Sequence, residues 1–199
     1  MAAENRIKVW DPLVRVFHWT LVAAFGIAYF TEEDFLLLHS WAGYIVFALL
    51  LVRLVWGFLG TRYARFSNFI YSPREIRHFL KQTLRLRAKR YIGHNPAGGA
   101  MIVLLIISLL ITTITGMAVY GISDNAGPLA TWLSNSGHAT EKAFEEVHEF
   151  FANFTLLLVF VHVAGVIVES LLHRENLVHA MFNGYKRAPS SKLAGEKQL

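Results

Sequence analysis

Cysteine is absent from the 199 residues of the chain, and that absence closes several chemistries at once. Without it there is no disulfide, no thiolate for an iron–sulfur cluster and no Cys-x-x-Cys-His site for covalent haem. Any haem would have to be held non-covalently, with imidazole nitrogen as the main strong-field ligand on offer. Charge is scarce too: 17% of the residues are Asp, Glu, Lys or Arg against 54% hydrophobic, and the mean hydropathy is +0.40. An ordinary soluble domain of this size is less apolar and more charged, so the composition points to an integral membrane protein.

What is present is four long apolar runs, at about 13–31, 41–60, 100–120 and 150–172, each near the roughly 20 residues that cross a hydrocarbon core as a helix. They predict an all-α fold: an integral membrane four-helix bundle in one domain over 1–199, with a basic cytoplasmic loop, 61–97, between spans 2 and 3. A cleaved signal peptide is not expected, because Arg15, His18 and Trp19 stand at the start of the first run and no small-residue cleavage site closes it.

Positive charge gives the expected orientation, since short cytoplasmic loops hold the excess of Lys and Arg. The first connection, with Glu32, Glu33 and Asp34, has no basic residue, and the third, from Gly121 to Val147, has only Lys142. The second holds nine basic residues from Arg62 to Arg90 against the single Glu75. Both termini are basic as well and are expected in the cytoplasm. The net charge of +5 is therefore topology and not a nucleic-acid footprint, because every Lys and Arg except Lys142 lies on the cytoplasmic side or in a span. Within the second connection Pro73 can open an amphipathic helix in which Ile76, Phe79, Leu80 and Leu84 share one face and basic residues take the other. Such a helix would lie on the anionic inner leaflet, with membrane lipid as its partner; a solvated charged loop is the alternative.

His148 and His162 stand fourteen residues apart in one helical stretch. Fourteen positions turn a helix about 1400°, which leaves the two imidazoles within about 40° of one face and about 21 Å apart in depth. One helix can thus offer a ligand to each of two metal centres. His18 lies about thirteen residues before the outer end of span 1, hence roughly 20 Å below the outer interface, while His39 lies near the outer start of span 2. Span 4 runs inward, so depth matches His18 with His162 and His39 with His148. A single histidine near a helix end is more often an interfacial polar residue than a ligand. Four that fall into two depth-matched pairs are harder to dismiss, because ionisable groups inside a membrane are costly. Zinc or copper would need several histidines at one depth.

The segment Val9-Trp10-Asp11-Pro12-Leu13-Val14-Arg15-Val16-Phe17-His18-Trp19 resembles the V-W-D-x-x-x-R-x-x-H-W opening of prokaryotic cytochrome b561 and of the b-type cytochrome subunits of nickel–iron hydrogenases. Leu38-His39-Ser40-Trp41-Ala42-Gly43-Tyr44, Arg53-Leu54-Val55-Trp56-Gly57-Phe58 and Gly93-His94-Asn95-Pro96-Ala97-Gly98-Gly99 resemble the same group, as does the spacing of the histidine pair. These motifs recur in order along nearly the whole chain. The resemblance implies a four-helix cytochrome of the bacterial inner membrane with two non-covalent b haems, ligated by His18 with His162 and by His39 with His148. It also implies quinone as an exchangeable carrier, and electron transfer between the quinone pool and a periplasmic redox partner or small substrate. A c-type cytochrome or an oxidoreductase subunit would serve as that partner.

Arg53 follows His39 by fourteen residues, on nearly the same face and at about the depth of the inner site. It is expected to bond a haem propionate, with snorkelling to the cytoplasmic interface as the alternative. Arg15 is a second candidate at similar depth, and His94 could bond a propionate or a quinone carbonyl. Glu169 reads either as a proton exchanger for reduced quinone or as an interfacial carboxylate. Gly26, Gly43 and Gly116 would relieve crowding around macrocycles or pack bare helices, and Trp10, Trp19, Trp41, Trp56 and Trp132 read as interfacial belts. No bond-making catalytic residue is evident, although oxidation of superoxide is one activity such a cytochrome could have. The first outer connection, about nine residues, is short for docking a hydrogenase small subunit. It favours a stand-alone cytochrome over the alternative, a membrane-anchor subunit of a larger periplasmic oxidoreductase such as a hydrogenase. A third reading, a haem-free transporter or assembly factor, would more often show broken helices or internal repeats, and neither is present.

Overall fold

The structure, a computed structural model, describes residues 6–31 and 35–188. The acidic triplet Glu32, Glu33 and Asp34 and, near the C-terminal end, Lys192 and Lys197, on which part of the orientation rests, lie outside the described residues. In chain order, β1 (Arg6–Lys8) precedes α1 (Pro12–Phe30) and α2 (Leu36–Leu59), then α3 (Pro73–Leu84) and α4 (Pro96–Ser123). The short α5 (Ala130–Leu133), α6 (His138–His173), α7 (Leu177–Asn183) and β2 (Tyr185–Arg187) complete it. Among the described residues, α1, α2, α4 and α6 are the helices long and apolar enough to cross a membrane.

Local chemistry sets where these helices begin. Asp11 accepts a hydrogen bond from Val14 N at 3.0 Å ahead of Pro12, and Asn95 Oδ1 accepts from Gly98 N at 2.7 Å ahead of Pro96. Each is an N-cap followed by a proline that has no amide to lose. A capping box between Ser72 and Glu75 opens α3 in the same way. Three helices begin a turn or more before their apolar runs, α2 at Leu36 rather than 41, α4 at Pro96 rather than 100 and α6 at His138 rather than 150. The lead-in to α6 holds Glu141, Glu145, Glu146 and Glu149 with Ala139, Ala143 and Lys142, good helix formers that an apolar run does not register. His138 therefore stands at the start of a helix and not in a loop.

α4 packs along α6 and against α2, and α2 packs against α1. Ala24, Val46, Leu50, Ile106 and Leu109 form the core where α1, α2 and α4 meet. The Ser108 and Thr155 hydroxyls bond at 2.6 Å between α4 and α6, with Thr155 fully buried. Among the described residues α6 makes no more than marginal backbone contact with α1 or α2. The helices therefore leave a seam, with α6 on one side and α1 and α2 on the other.

At the end of the bundle where α3 lies, the two ends of the described chain are tied into a cap. β1 and β2 pair antiparallel with Ile7 opposite Lys186, and Val9 N and Trp10 N both donate to Gly184 O, at 2.8 and 3.1 Å. Gly184 has φ +87°, and a Cβ there would meet Trp10 O at 2.6 Å, so both backbone conformation and space require glycine. Glu175 pairs with Arg90 at 2.8 Å and accepts from Arg187 N at 2.9 Å, with Lys186 Nζ at 3.8 Å. Burial would raise the Glu175 carboxyl, but these donors and cations outweigh it and hold the group below the usual carboxylate range. Three tryptophans pack at this end: Trp10 is buried, Trp19 stacks on Phe182 at 4.2 Å, and Trp56 Nε1 donates to Asp11. Trp41 and Trp132 are exposed, as a belt requires.

Candidate functional site

The seam holds all four of the sequence-predicted histidine ligands. At the end away from α3, His39 in the first turn of α2 faces His148 of α6, with ring centroids 6.0 Å apart and planes at 78°. Each ring is anchored through Nδ1, His39 to Ala28 O and His148 to Thr112 O, both at 2.8 Å. A carbonyl only accepts, so Nδ1 carries the proton in both rings and Nε2 keeps its lone pair. Ala28 lies in the last turn of α1, and its carbonyl also accepts from Thr31 N at 3.3 Å. Gly116 makes room for the other ring: a Cβ there would lie 2.7 Å from His148 Cε1 and 2.9 Å from its Nδ1. Beside Gly26 and Gly43, in contrast, an added Cβ would meet nothing within 4 Å.

Nearer the cap, His18 of α1 faces His162 of α6 with centroids 6.5 Å apart and planes at 52°. His18 Nδ1 is buried without a hydrogen-bond partner, and so are Arg15 Nε, Trp19 Nε1, Arg53 Nη1 and His94 Nδ1. Arg53 does not snorkel. It is 4% exposed, and its Nη2 donates to Ala64 O at 3.0 Å beneath the loop that follows α2. Its guanidinium carbon lies 5.0 Å from the Phe66 ring centre and 5.7 Å from that of Phe69. His94 is held between Trp10 and Phe69, at 4.5 and 4.8 Å. Burial, reinforced by the Arg53 and Lys186 cations, pushes its pKa down to about 3. The ring is therefore neutral near pH 7, able to donate at one nitrogen and accept at the other.

Metal–imidazole bonds of about 2.0–2.1 Å and a ring radius of about 1.1 Å put the centroids of two trans imidazoles roughly 6.3 Å apart. The two pairs lie at 6.0 and 6.5 Å. Among the described residues no three His, Cys, Asp or Glu side chains gather as a metal site, so a bare ion would find only two protein ligands at either pair. A haem brings four nitrogens of its own and asks the protein for axial ligands only. The orphaned N–H groups of Arg15, Arg53 and Trp19 match the chemistry of its propionate carboxylates. By donor set and spacing, the residues present fit haem.

Sequence reasoning named Glu169 but missed its partner, His173. Glu169 is partly buried, and its Oε2 lies 3.4 Å from His173 Nε2, while its Oε1 has no hydrogen-bond partner. The four-residue spacing on one helix was the available signal. Tyr44 also has a buried hydroxyl without a partner.

Residues 9–184 match the family described as Prokaryotic cytochrome b561. The chain is 26% identical over 219 aligned positions to the probable Ni/Fe-hydrogenase B-type cytochrome subunit of Rhizobium leguminosarum bv. viciae, covering 91% of this chain and 89% of that protein. It is 24% identical to the corresponding subunit of Rhodobacter capsulatus, over 96% of this chain and 85% of the relative. To the probable Ni/Fe-hydrogenase 1 B-type cytochrome subunit of Escherichia coli K12 it is 25% identical, over 96% and 94%. No solved structure matches the chain significantly.

Proposed function

Because the chain belongs to the prokaryotic cytochrome b561 family, we propose that it is a two-haem cytochrome b of the bacterial inner membrane, the electron-transfer subunit that links a periplasmic oxidoreductase of the hydrogenase class to quinone. The observation that carries this reading is the double pairing across the seam, His39 with His148 and His18 with His162, at centroid distances suited to axial ligation. Haem b, when bound, supplies reversible one-electron chemistry.

The chain's own residues do the rest. His39 and His148 hold their protons at Nδ1 against backbone carbonyls, which fixes both ring orientations and strengthens Nε2 as a donor. His18 and His162 would hold the second haem, where Arg53 and Arg15 would offer guanidinium N–H groups to propionates and neutral His94 would suit a propionate or a quinone carbonyl. Glu169 Oε2 and His173 Nε2 lie 3.4 Å apart at the end where reduction of quinone would consume protons. The nine basic residues of the second connection favour a cytoplasmic position for this end. The opposite end, with Glu141, Glu145 and Glu146, would then meet the periplasmic partner.

The relatives favour a subunit over the stand-alone cytochrome suggested by the short first connection. Three of them carry hydrogenase cytochrome names and are matched over 85% or more of their own length. Mild-detergent purification from native membranes is expected to bring an iron–sulfur hydrogenase subunit with the chain. A chain that purifies alone, fully loaded with haem and reducible by quinol, would overturn the subunit reading and leave the cytochrome reading standing, with a c-type cytochrome or superoxide as the outer reactant to examine next.

A further inference from the structure

A concavity of about 750 Å³ lies between α3 and the chain that returns from it, and it shares no residue with either histidine pair. Two elements line it by two periodicities. Arg74, Arg77, His78 and Lys81 come from α3, at the spacing that puts side chains on one helical face. Arg87 and Lys89 come from alternate positions of the return segment. The wall contains one carboxylate, Glu75, and the capping box occupies it: Glu75 Oε2 accepts from Ser72 N at 2.8 Å and from Ser72 Oγ at 2.7 Å. Among the described residues none of the Arg and Lys side chains around the concavity has an ion-pair partner. Five cations thus surround a space with nothing anionic free to meet them.

The other face of α3 is apolar and only partly used. Phe79 is buried, with its ring 5.7 Å from that of Tyr91, but Leu80 and Leu84 are exposed, and so are the neighbouring Ile70 and Leu86. A soluble polyanion would satisfy the cations and leave these side chains in water. A lipid satisfies both, with its phosphate in the concavity and its acyl chains along the leucines. We propose that the concavity binds the head group of an anionic phospholipid from the adjoining leaflet, and that a diphosphate lipid of the cardiolipin type is preferred, because five cations exceed what one phosphate neutralises.

Native mass spectrometry of the full-length, haem-loaded protein in detergent micelles doped with cardiolipin or with phosphatidylcholine tests this. Cardiolipin adducts should persist and phosphatidylcholine adducts should not. The triple variant Arg77→Gln, Lys81→Gln, Arg87→Gln is expected to weaken cardiolipin binding roughly a hundredfold, and each single replacement roughly fivefold, so the test survives a triple variant that fails to fold. A control with Arg62→Gln and Lys142→Gln, outside the concavity, should bind as the parent does; equal weakening in that control, or undiminished binding in the single variants, overturns the proposal. Leu80→Asn with Leu84→Asn separates the two sources of phosphate. These changes should weaken cardiolipin binding and leave binding of inorganic pyrophosphate unaltered, whereas full retention of cardiolipin would make the ligand a soluble phosphate and defeat the lipid assignment.

Discussion

Gly116 shows how a single residue governs the far histidine pair. An alanine Cβ at this position would lie 2.7 Å from His148 Cε1, inside van der Waals contact, and would drive the ring off the Thr112 carbonyl. Gly116→Ala is expected to cost the haem at His39 and His148 while sparing the other, read as about half the parent's pyridine haemochrome yield with one set of redox-active bands retained; full haem content would contradict it. Arg53 acts at the other pair. Buried positive charge favours the reduced, less positive haem, so Arg53→Gln should lower one midpoint potential by about 40–90 mV, the equivalent of about 1–2 kcal/mol for one electron, in a redox titration. An unmoved potential would leave the guanidinium only its bond to Ala64 O. The histidines were legible because an ionisable group in an apolar run stands out and helix periodicity gives its depth. The partner of Arg53 was not, because the loop from Gly60 to Ile70 folds back through Phe66 and Phe69, side chains that follow no period.

Among the elements, α4 and α6 depend on a polar contact inside an apolar interface. Thr155→Val removes the hydroxyl bond to Ser108 with little change in shape, and is expected to cost about 0.5–1.5 kcal/mol of unfolding free energy in a detergent denaturation series. The cap should be the part most sensitive to acid. Glu175 is held below its ordinary range, and at Asp11 burial is likewise outweighed, by the Thr61, Val14 and Trp56 donors. Both folded values are depressed, so the stability they contribute is complete above the unfolded values and is lost as pH falls through the folded ones. Protection factors of the Ile7 and Lys186 amides are expected to drop below about pH 4 before those of the long helices; constant protection from pH 7 to pH 3 would contradict this. The four long helices could be read from hydropathy, which marks only their apolar parts and so missed the first turns of α2, α4 and α6. The strand pair could not be read, because three residues on each side, Arg6-Ile7-Lys8 and Tyr185-Lys186-Arg187, are too few to show an alternation.

Across the whole molecule, the arrangement is a row of helices with one gap. α1, α2, α4 and α6 pack in series, and the gap between α6 and the first two holds both histidine pairs. α6 is the shared element, since it supplies His148 to one pair and His162 to the other. The most direct measurement is therefore haem content together with low-temperature reduced-minus-oxidised spectra of His148→Ala and His162→Ala, each purified under the same conditions. Each is expected to keep one haem, and the two should keep different ones, distinguishable by band position or potential. Loss of the same haem in both variants, or a parent protein with a single haem, would contradict the two-centre assignment.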